Sequence, residues 1–264
     1  MFDAHCHLDD SRFDIDRVSV LKRAWTSGVK YLIVAGVEPE KFSLQSELAK
    51  NESSLFVTYG LHPWIVAKHP LDEVKQLLKK VEDSLNSQDL VRPVGIGECG
   101  LDRSRKVPID SMEKQISAFR FQLDLARQYH LPIVIHVVKA HNELLSLLKR
   151  DGIPRRGGMI HAFSANFTLA NEYTKLGLHL SFGGSVTNER AKKLRKAVQG
   201  IDDKWLLCET DAPDMTPNPP RTGRNEPSYL QDIIEVIADL RGQTTKEIAI
   251  LTTQNAKQLF DIMG

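Results

Sequence analysis

Short apolar runs alternate with longer amphipathic stretches along this 264-residue chain, and that alternation restricts its fold more than any other feature. The apolar runs fall at 2–8, 31–37, 54–61, 93–101, 132–138, 157–163, 178–182 and 204–210. Residues 13–27, 39–50, 70–86, 109–130, 140–150, 166–176, 188–199 and 226–241 show helical periodicity, and 245–261 adds a C-terminal helix. Strands separated by helices pair in parallel, because each parallel neighbour needs a crossover connection. Eight such units predict an α/β fold of the (β/α)8 TIM-barrel type, for which a length of roughly 250 residues is typical. An open doubly wound sheet is the competing arrangement, but its G-x-G-x-x-G turn after the first strand is missing. A single domain over 1–264 is expected.

The punctuation agrees with this map. Gly28, Gly177 and Gly242 follow predicted helices as C-terminal caps, and Pro108 opens the 109–130 helix. Residues 212–227 hold five of the twelve prolines and no periodicity, so they read as one long ordered loop. The formal net charge of +1 argues against a basic coat for gripping long DNA or a membrane surface, while leaving room for a local anion site. The segment MFDAHCHLDD has no secretory pattern, and no apolar run is long enough to span a bilayer. Cys6, Cys99 and Cys208 are sparse and lack C-x-x-C spacing, which suits buried fillers in a reducing compartment; the cytoplasm is expected.

Residues able to bind metals cluster at the ends of the predicted strands. His5 and His7 alternate on the first, so their side chains share a face. Glu98 ends VGIGE, His136 ends PIVIH, His161 ends GGMIH and Asp211 ends WLLCETD. Carboxyl ends of barrel strands converge on the face where active sites are built. Four imidazoles and two carboxylates make a first shell for two divalent cations, zinc, manganese or magnesium. Glu98 is the candidate bridge between metals about 3.5–4 Å apart. His5, His7 and Asp211 would complete one site, and His136 and His161 the other. A water activated by the metals would be the nucleophile, with Asp211 taking its proton.

Each residue alone has a plainer reading. The H-x-H pair can be satisfied strand histidines, Glu98 an ion-paired carboxylate, His136 a core or capping residue, and Asp211 a turn cap before Pro213. Their joint placement favours metal, since burying so many ionisable groups without partners is costly. His62, in YGLHPW, is a candidate to contact a substrate phosphate or support a ligand, with a structural turn role equally open.

DAHCHLD at 3–9, GLHP at 60–63, VGIGECGLD at 94–102, LPIVIH at 131–136, GGMIHAFS at 157–164, ETDAPDM at 209–215, RNEP at 224–227 and NAKQLF at 255–260 together resemble the TatD family of metal-dependent deoxyribonucleases, in particular its YjjV-like branch. The resemblance runs in order along essentially the whole chain. It implies a barrel of the amidohydrolase-like type, two divalent metals, and phosphodiester hydrolysis as a 3′-5′ exonuclease on single-stranded DNA. Its metal residues fall on His5, His7, Glu98, His136, His161 and Asp211, with Glu98 and Asp211 in catalytic roles. Two departures concern substrate more than chemistry. Arg103 and Ser104 replace a Tyr-Tyr pair common in the family, and Val138 and Lys139 stand where many members carry an arginine.

For a nucleic-acid strand end, Lys139, Arg221 and Arg224 are the candidate phosphate contacts, with Arg103 and Arg105 as further ones; solvated surface charge is the alternative for each. Trp64, Phe163 and Tyr59 are candidates to stack on a base, the last two more in keeping with packing. Two other functions stay open: a two-metal hydrolase of a small ester, amide or lactone, and a non-catalytic metal-binding scaffold. No obligate protein partner is evident, no membrane contact is expected, and a monomer is the expected state.

Overall fold

A computed structural model describes residues 1–220 and 223–262. Its strands are β1 (Phe2–Cys6), β2 (Tyr31–Ala35), β3 (Leu55–Tyr59), β4 (Gly95–Asp102), β5 (Ile133–Val138), β6 (Gly158–Ile160), β7 (Leu178–Phe182) and β8 (Leu206–Cys208). They form one sheet in sequential order, the nearly closed parallel barrel that the alternation predicts. The helices are α1 (Arg17–Thr26), α2 (Phe42–Asn51), α3 (Pro63–Lys68), α4 (Leu71–Asn86), α5 (Met112–Gln128), α6 (His141–Asp151), α7 (Phe167–Lys175), α8 (Lys192–Gly200), α9 (Leu230–Arg241) and α10 (Thr245–Phe260). No helix among the described residues is long and apolar enough to cross a membrane.

The chain divides into two compact units, one of Met1–Val34 with His161–Gly264 and one of Ala35–Ile160. In the first, β1 runs beside β8. Backbone bonds from Asp211 to the His5 carbonyl (2.9 Å) and from His7 to the Ala212 carbonyl (2.8 Å) carry that neighbourhood beyond the end of β8. Helix α10 starts at a capping box made by Thr244 and Glu247. Its buried Asn255 donates to the carbonyls of Asp203 (2.7 Å) and Leu206 (2.9 Å), fixing the entry to β8.

In the second unit, α5 does the equivalent work with two glutamines seven residues apart, hence on one helix face. Gln122 accepts from the Leu61 amide (2.7 Å) and donates to its carbonyl (3.1 Å). Gln115 does the same for Asp102, at 2.7 and 3.0 Å. Both side chains are buried, so each satisfies a backbone stretch that leaves its strand and would otherwise lose its partners.

Several predicted boundaries move, each for a local reason. β6 and β8 are three residues long, shorter than their apolar runs. Two residues beyond β6 and three beyond β8, Ala162 and Asp211 take left-handed backbone (φ 46° and 55°), which turns the chain out of the sheet. Glu98 and His136 lie within β4 and β5, not at their ends, and His7 lies one residue past β1. Helix α3 has no counterpart in the periodicity; six residues are too few to show it, but Pro63 at its start and His62 as its cap account for it. The first helix begins at Arg17, not at 13, because Asp10 caps a separate 3-10 turn at Ser11–Phe13.

All three cysteines are free and buried, and burial pushes each thiol up from its ordinary range. The sequence VGIGECG also finds its explanation in β4. Gly97 (φ 141°) and Gly100 (φ 146°) bracket Glu98, and a Cβ on Gly100 would lie 2.0 Å from the His136 carbonyl oxygen. No side chain fits there, and the backbone conformation is one that L residues rarely adopt. Gly100→Ala is therefore expected to destabilise the chain by about 2–4 kcal/mol, read from urea unfolding midpoints. A change under about 0.5 kcal/mol would refute this account of the contact.

Candidate metal centre

In the first unit β1 presents His5, with His7 just beyond its end, and the segment after β8 presents Asp211. Asp211 Oδ1 lies 3.3 Å from His7 Nε2 and 3.6 Å from His5 Nε2, and the two Nε2 atoms are 3.3 Å apart. His5 is fully buried, and Asp211 and His161 nearly so. Burial alone would raise the Asp211 carboxyl, but the hydrogen bond with His7 and the charges of His161, His7 and His5 outweigh it and hold the group below its ordinary value.

The imidazole of His161, directly after β6, stacks on His5 with ring centroids 4.1 Å apart. Its Nδ1 is 3.5 Å from Glu209 Oε1, which also accepts from the Ala162 amide at 2.5 Å. His5, His161 and Glu209 thus form a second ligand group that shares His5 with the first. Behind them, Asp3 accepts from the Thr210 amide (2.8 Å) and hydroxyl (2.6 Å). Burial pushes the Asp3 carboxyl up to about 8 against the lowering effect of these bonds. This pairing locks the residue between Glu209 and Asp211 onto β1.

The second unit gathers His62, Glu98 and His136, whose donor atoms also lie within 4.8 Å of one another. Glu98 Oε1 is 3.0 Å from His62 Nε2 and 2.9 Å from His136 Nδ1. His62 Nδ1 accepts the Trp64 amide at 3.0 Å. In the neutral ring the proton therefore sits on Nε2, so His62 donates to Glu98 and has no lone pair there for a cation. On the far side of His136, Nε2 lies 3.0 Å from Asp102 Oδ2. Burial alone would raise the Asp102 carboxyl, but hydrogen bonds from His136, Ser104 and Trp64 hold it well below the usual range.

The two donor sets of the first unit, and Glu98 with His136 in the second, suit divalent cations. Within each group the imidazole nitrogens and carboxylate oxygens lie within 4.8 Å of one another, and Glu209 Oε2 is buried with no hydrogen-bond donor among the described residues. Two participants escaped the sequence reading. Glu209 stands two residues before Asp211 within the quoted ETD block, and Asp102 closes VGIGECGLD. The sign available in both was a carboxylate at the end of an apolar run.

The expected substrate contacts meet different fates. Lys139 is exposed directly after β5, in left-handed backbone (φ 53°). Arg224 pairs with Asp16, lies over the Phe13 ring and donates to the Arg12 carbonyl, so it braces the 212–227 loop. Arg103 pairs with Glu143 at 2.6 Å, and Arg105 is exposed. Arg221 lies outside the described residues. Tyr59 and Phe163 are buried packing residues, whereas Trp64 is 38% exposed, edge-on to His62 with centroids 4.8 Å apart.

Residues 2–261 match the TatD related DNase family. The chain is 36% identical over 262 residues to the uncharacterized metal-dependent hydrolase YabD of Bacillus subtilis, covering 99% of each sequence. It is 34% identical over 271 residues to the 3′-5′ ssDNA/RNA exonuclease TatD of Salmonella typhimurium, covering 100% of both. Among solved structures, the TatD homologue YjjV of Escherichia coli K12 matches with a TM-score of 0.91 at 33% identity, over 100% of this chain and 98% of that one.

Adding Zn²⁺ or Mn²⁺ to chelator-treated protein is expected to raise its melting temperature, by the equivalent of about 2.7 kcal/mol at a hundredfold excess over Kd. His5→Ala, which removes the imidazole shared by both groups of the first unit, is expected to blunt that rise. Differential scanning calorimetry checks this, and an undiminished rise in the variant would overturn the role given to His5.

Proposed function

Because the chain belongs to the TatD family of metal-dependent hydrolases, we propose that it is a phosphodiesterase that removes nucleotides from the 3′ end of single-stranded DNA. The observation that carries this reading is the His5–His7–Asp211 group, buried at His5 and Asp211 and half-buried at His7, with its Nε2 and Oδ1 atoms 3.3–3.6 Å apart. His5, His7, His161 and Asp211 of the first unit and Glu98 and His136 of the second would hold the divalent cations. Bound there, cations supply the positive charge that offsets phosphate oxygens and acidifies water.

The chain's own residues do the rest. Asp211 is kept ionised and so is suited to take the proton of the attacking water. Glu98 is held by the His62 Nε2–H, which fixes the direction of its Oε1. Lys139, exposed directly after β5, would meet a phosphate of the strand, and the exposed Trp64 would stack on a base. A site that takes a strand end needs no extended basic surface, in keeping with a net charge of +1. The reading includes a monomer acting in the cytoplasm, where three buried free thiols meet no oxidant.

End-labelled single-stranded DNA, incubated with metal-stripped protein and then with Mg²⁺, Mn²⁺ or Zn²⁺, tests the proposal. Stepwise shortening from the 3′ end is expected, falling by about 10²–10⁴-fold in Asp211→Asn. Fully metal-loaded protein that leaves DNA intact but hydrolyses a small ester or lactone would overturn it. Trp64→Ala is expected to weaken strand binding by about 1–3 kcal/mol, measured as a rise in Kd for a short oligonucleotide.

A further inference from the structure

We propose that Asp102 is a positioning residue that fixes the ring tautomer of His136, so that Nδ1, the nitrogen beside Glu98, is the one presented to a metal. The inference rests on the reading of His136 as a ligand, and goes beyond it by assigning which nitrogen ligates and what enforces the choice.

The argument is a count of donors. Asp102 is 1% exposed at the end of β4, with its own amide and carbonyl held by Gln115. Its Oδ1 accepts the Ser104 amide at 2.5 Å, and its Oδ2 accepts the Trp64 indole Nε1–H at 2.6 Å. A peptide N–H and an indole N–H only ever donate, so both carboxylate oxygens act as acceptors. The third contact, His136 Nε2 at 3.0 Å from Oδ2, must then also bring a hydrogen. A ring carrying its hydrogen on Nε2 presents the Nδ1 lone pair, and Nδ1 lies 2.9 Å from Glu98 Oε1.

Glu98 Oε1 already receives the His62 Nε2–H, so two histidines of the second unit reach the same tautomer by opposite means. His62 is set by a donor at Nδ1, and His136 by an acceptor at Nε2. A lone pair facing a carboxylate oxygen at 2.9 Å calls for positive charge, which a divalent cation provides. A metal-ligating histidine commonly donates its other ring N–H to a carboxylate, with the same division of labour.

Asp102→Asn tests the proposal with little change in shape. The amide NH2 would face the Ser104 N–H in one orientation and the Trp64 and His136 N–H groups in the other, where His136 relieves its share by moving its hydrogen to Nδ1; in either orientation the charge that holds the Nε2 hydrogen is gone. Long-range ¹H–¹⁵N correlation spectra of zinc-loaded wild type are expected to show His136 protonated at Nε2 with a metal-bound Nδ1; His136→Asn identifies the signals. In Asp102→Asn the Nε2 hydrogen is expected to be lost from that position, and zinc affinity by calorimetric titration to fall about 10–100-fold. A merely structural Asp102 would lower stability without exchanging the two nitrogens. Zinc on Nε2 in the wild type would overturn the proposal, and that measurement stands even if the variant fails to fold. Unchanged His136 signals and zinc affinity in a folded Asp102→Asn would overturn it while leaving His136 a ligand. Wild type that loads zinc without involving His136 would overturn the ligand reading and this proposal together.

Discussion

A carboxylate taken out of water must be met by donors, by cations or by a proton, and the strand ends of this chain are laid out around that demand. Asp3 is met by the amide and hydroxyl of Thr210, and Asp102 by N–H groups of Ser104, Trp64 and His136. Glu98 is met by two imidazoles, and Asp211 by His5 and His7. Each such set joins residues far apart in sequence, so satisfying the charge and closing the local fold are the same event. Glu209 Oε2 is the exception, buried with no hydrogen-bond donor among the described residues, and so is left with the demand that a cation would meet.

The backbone is prepared for this by groups that have no chemistry of their own. Gln122 holds the backbone at Leu61, past the end of β3, and Gln115 holds it at Asp102, the last residue of β4. His62 and Asp102 therefore project from backbone whose hydrogen-bonding groups are held by buried side chains of α5. Gly97 and Gly100 remove side chains where β4 passes closest to β5, which lets Glu98 and His136 approach. Left-handed residues stand one, two and three residues after β5, β6 and β8, at Lys139, Ala162 and Asp211. Sharp exits of this kind are common where a scaffold presents functional groups, and the strain is borne by the packing around them.

Much of this was legible beforehand, because periodicity reports on burial. All eight strands fall within or against the apolar runs, and of the six ligand candidates His5, Glu98 and His136 lie on strands while His7, His161 and Asp211 lie within three residues beyond one. What periodicity cannot report is lateral pairing. Trp64, Asp102 and His136 lie on three different elements, so nothing local in GLHPW or GLD announces that they share a hydrogen-bond cluster. Arg224 misled for the same reason: a cation near a site reads as a phosphate contact until Asp16, in a distant segment, turns up beside it. The short spans of β6 and β8 were hidden because loop residues buried by the site are as apolar as strand residues.

The three buried thiols bear on which ions the site meets. Cys6 stands between His5 and His7, Cys99 follows Glu98, and Cys208 precedes Glu209, so every cysteine adjoins a residue with ligating capacity. Cys6 Sγ instead lies against the Ala212 carbonyl and Cys99 Sγ against that of Val134, while burial keeps all three protonated. A protonated thiol is a poor ligand, whereas a thiolate at any of these positions would draw soft ions such as Cd²⁺ or Cu⁺. Strand geometry thus keeps sulfur within two residues of the ligands yet outside the coordination chemistry. The folded chain presents ions with nitrogen and oxygen, and its vulnerability to thiophilic metals is confined to moments when the strands come apart.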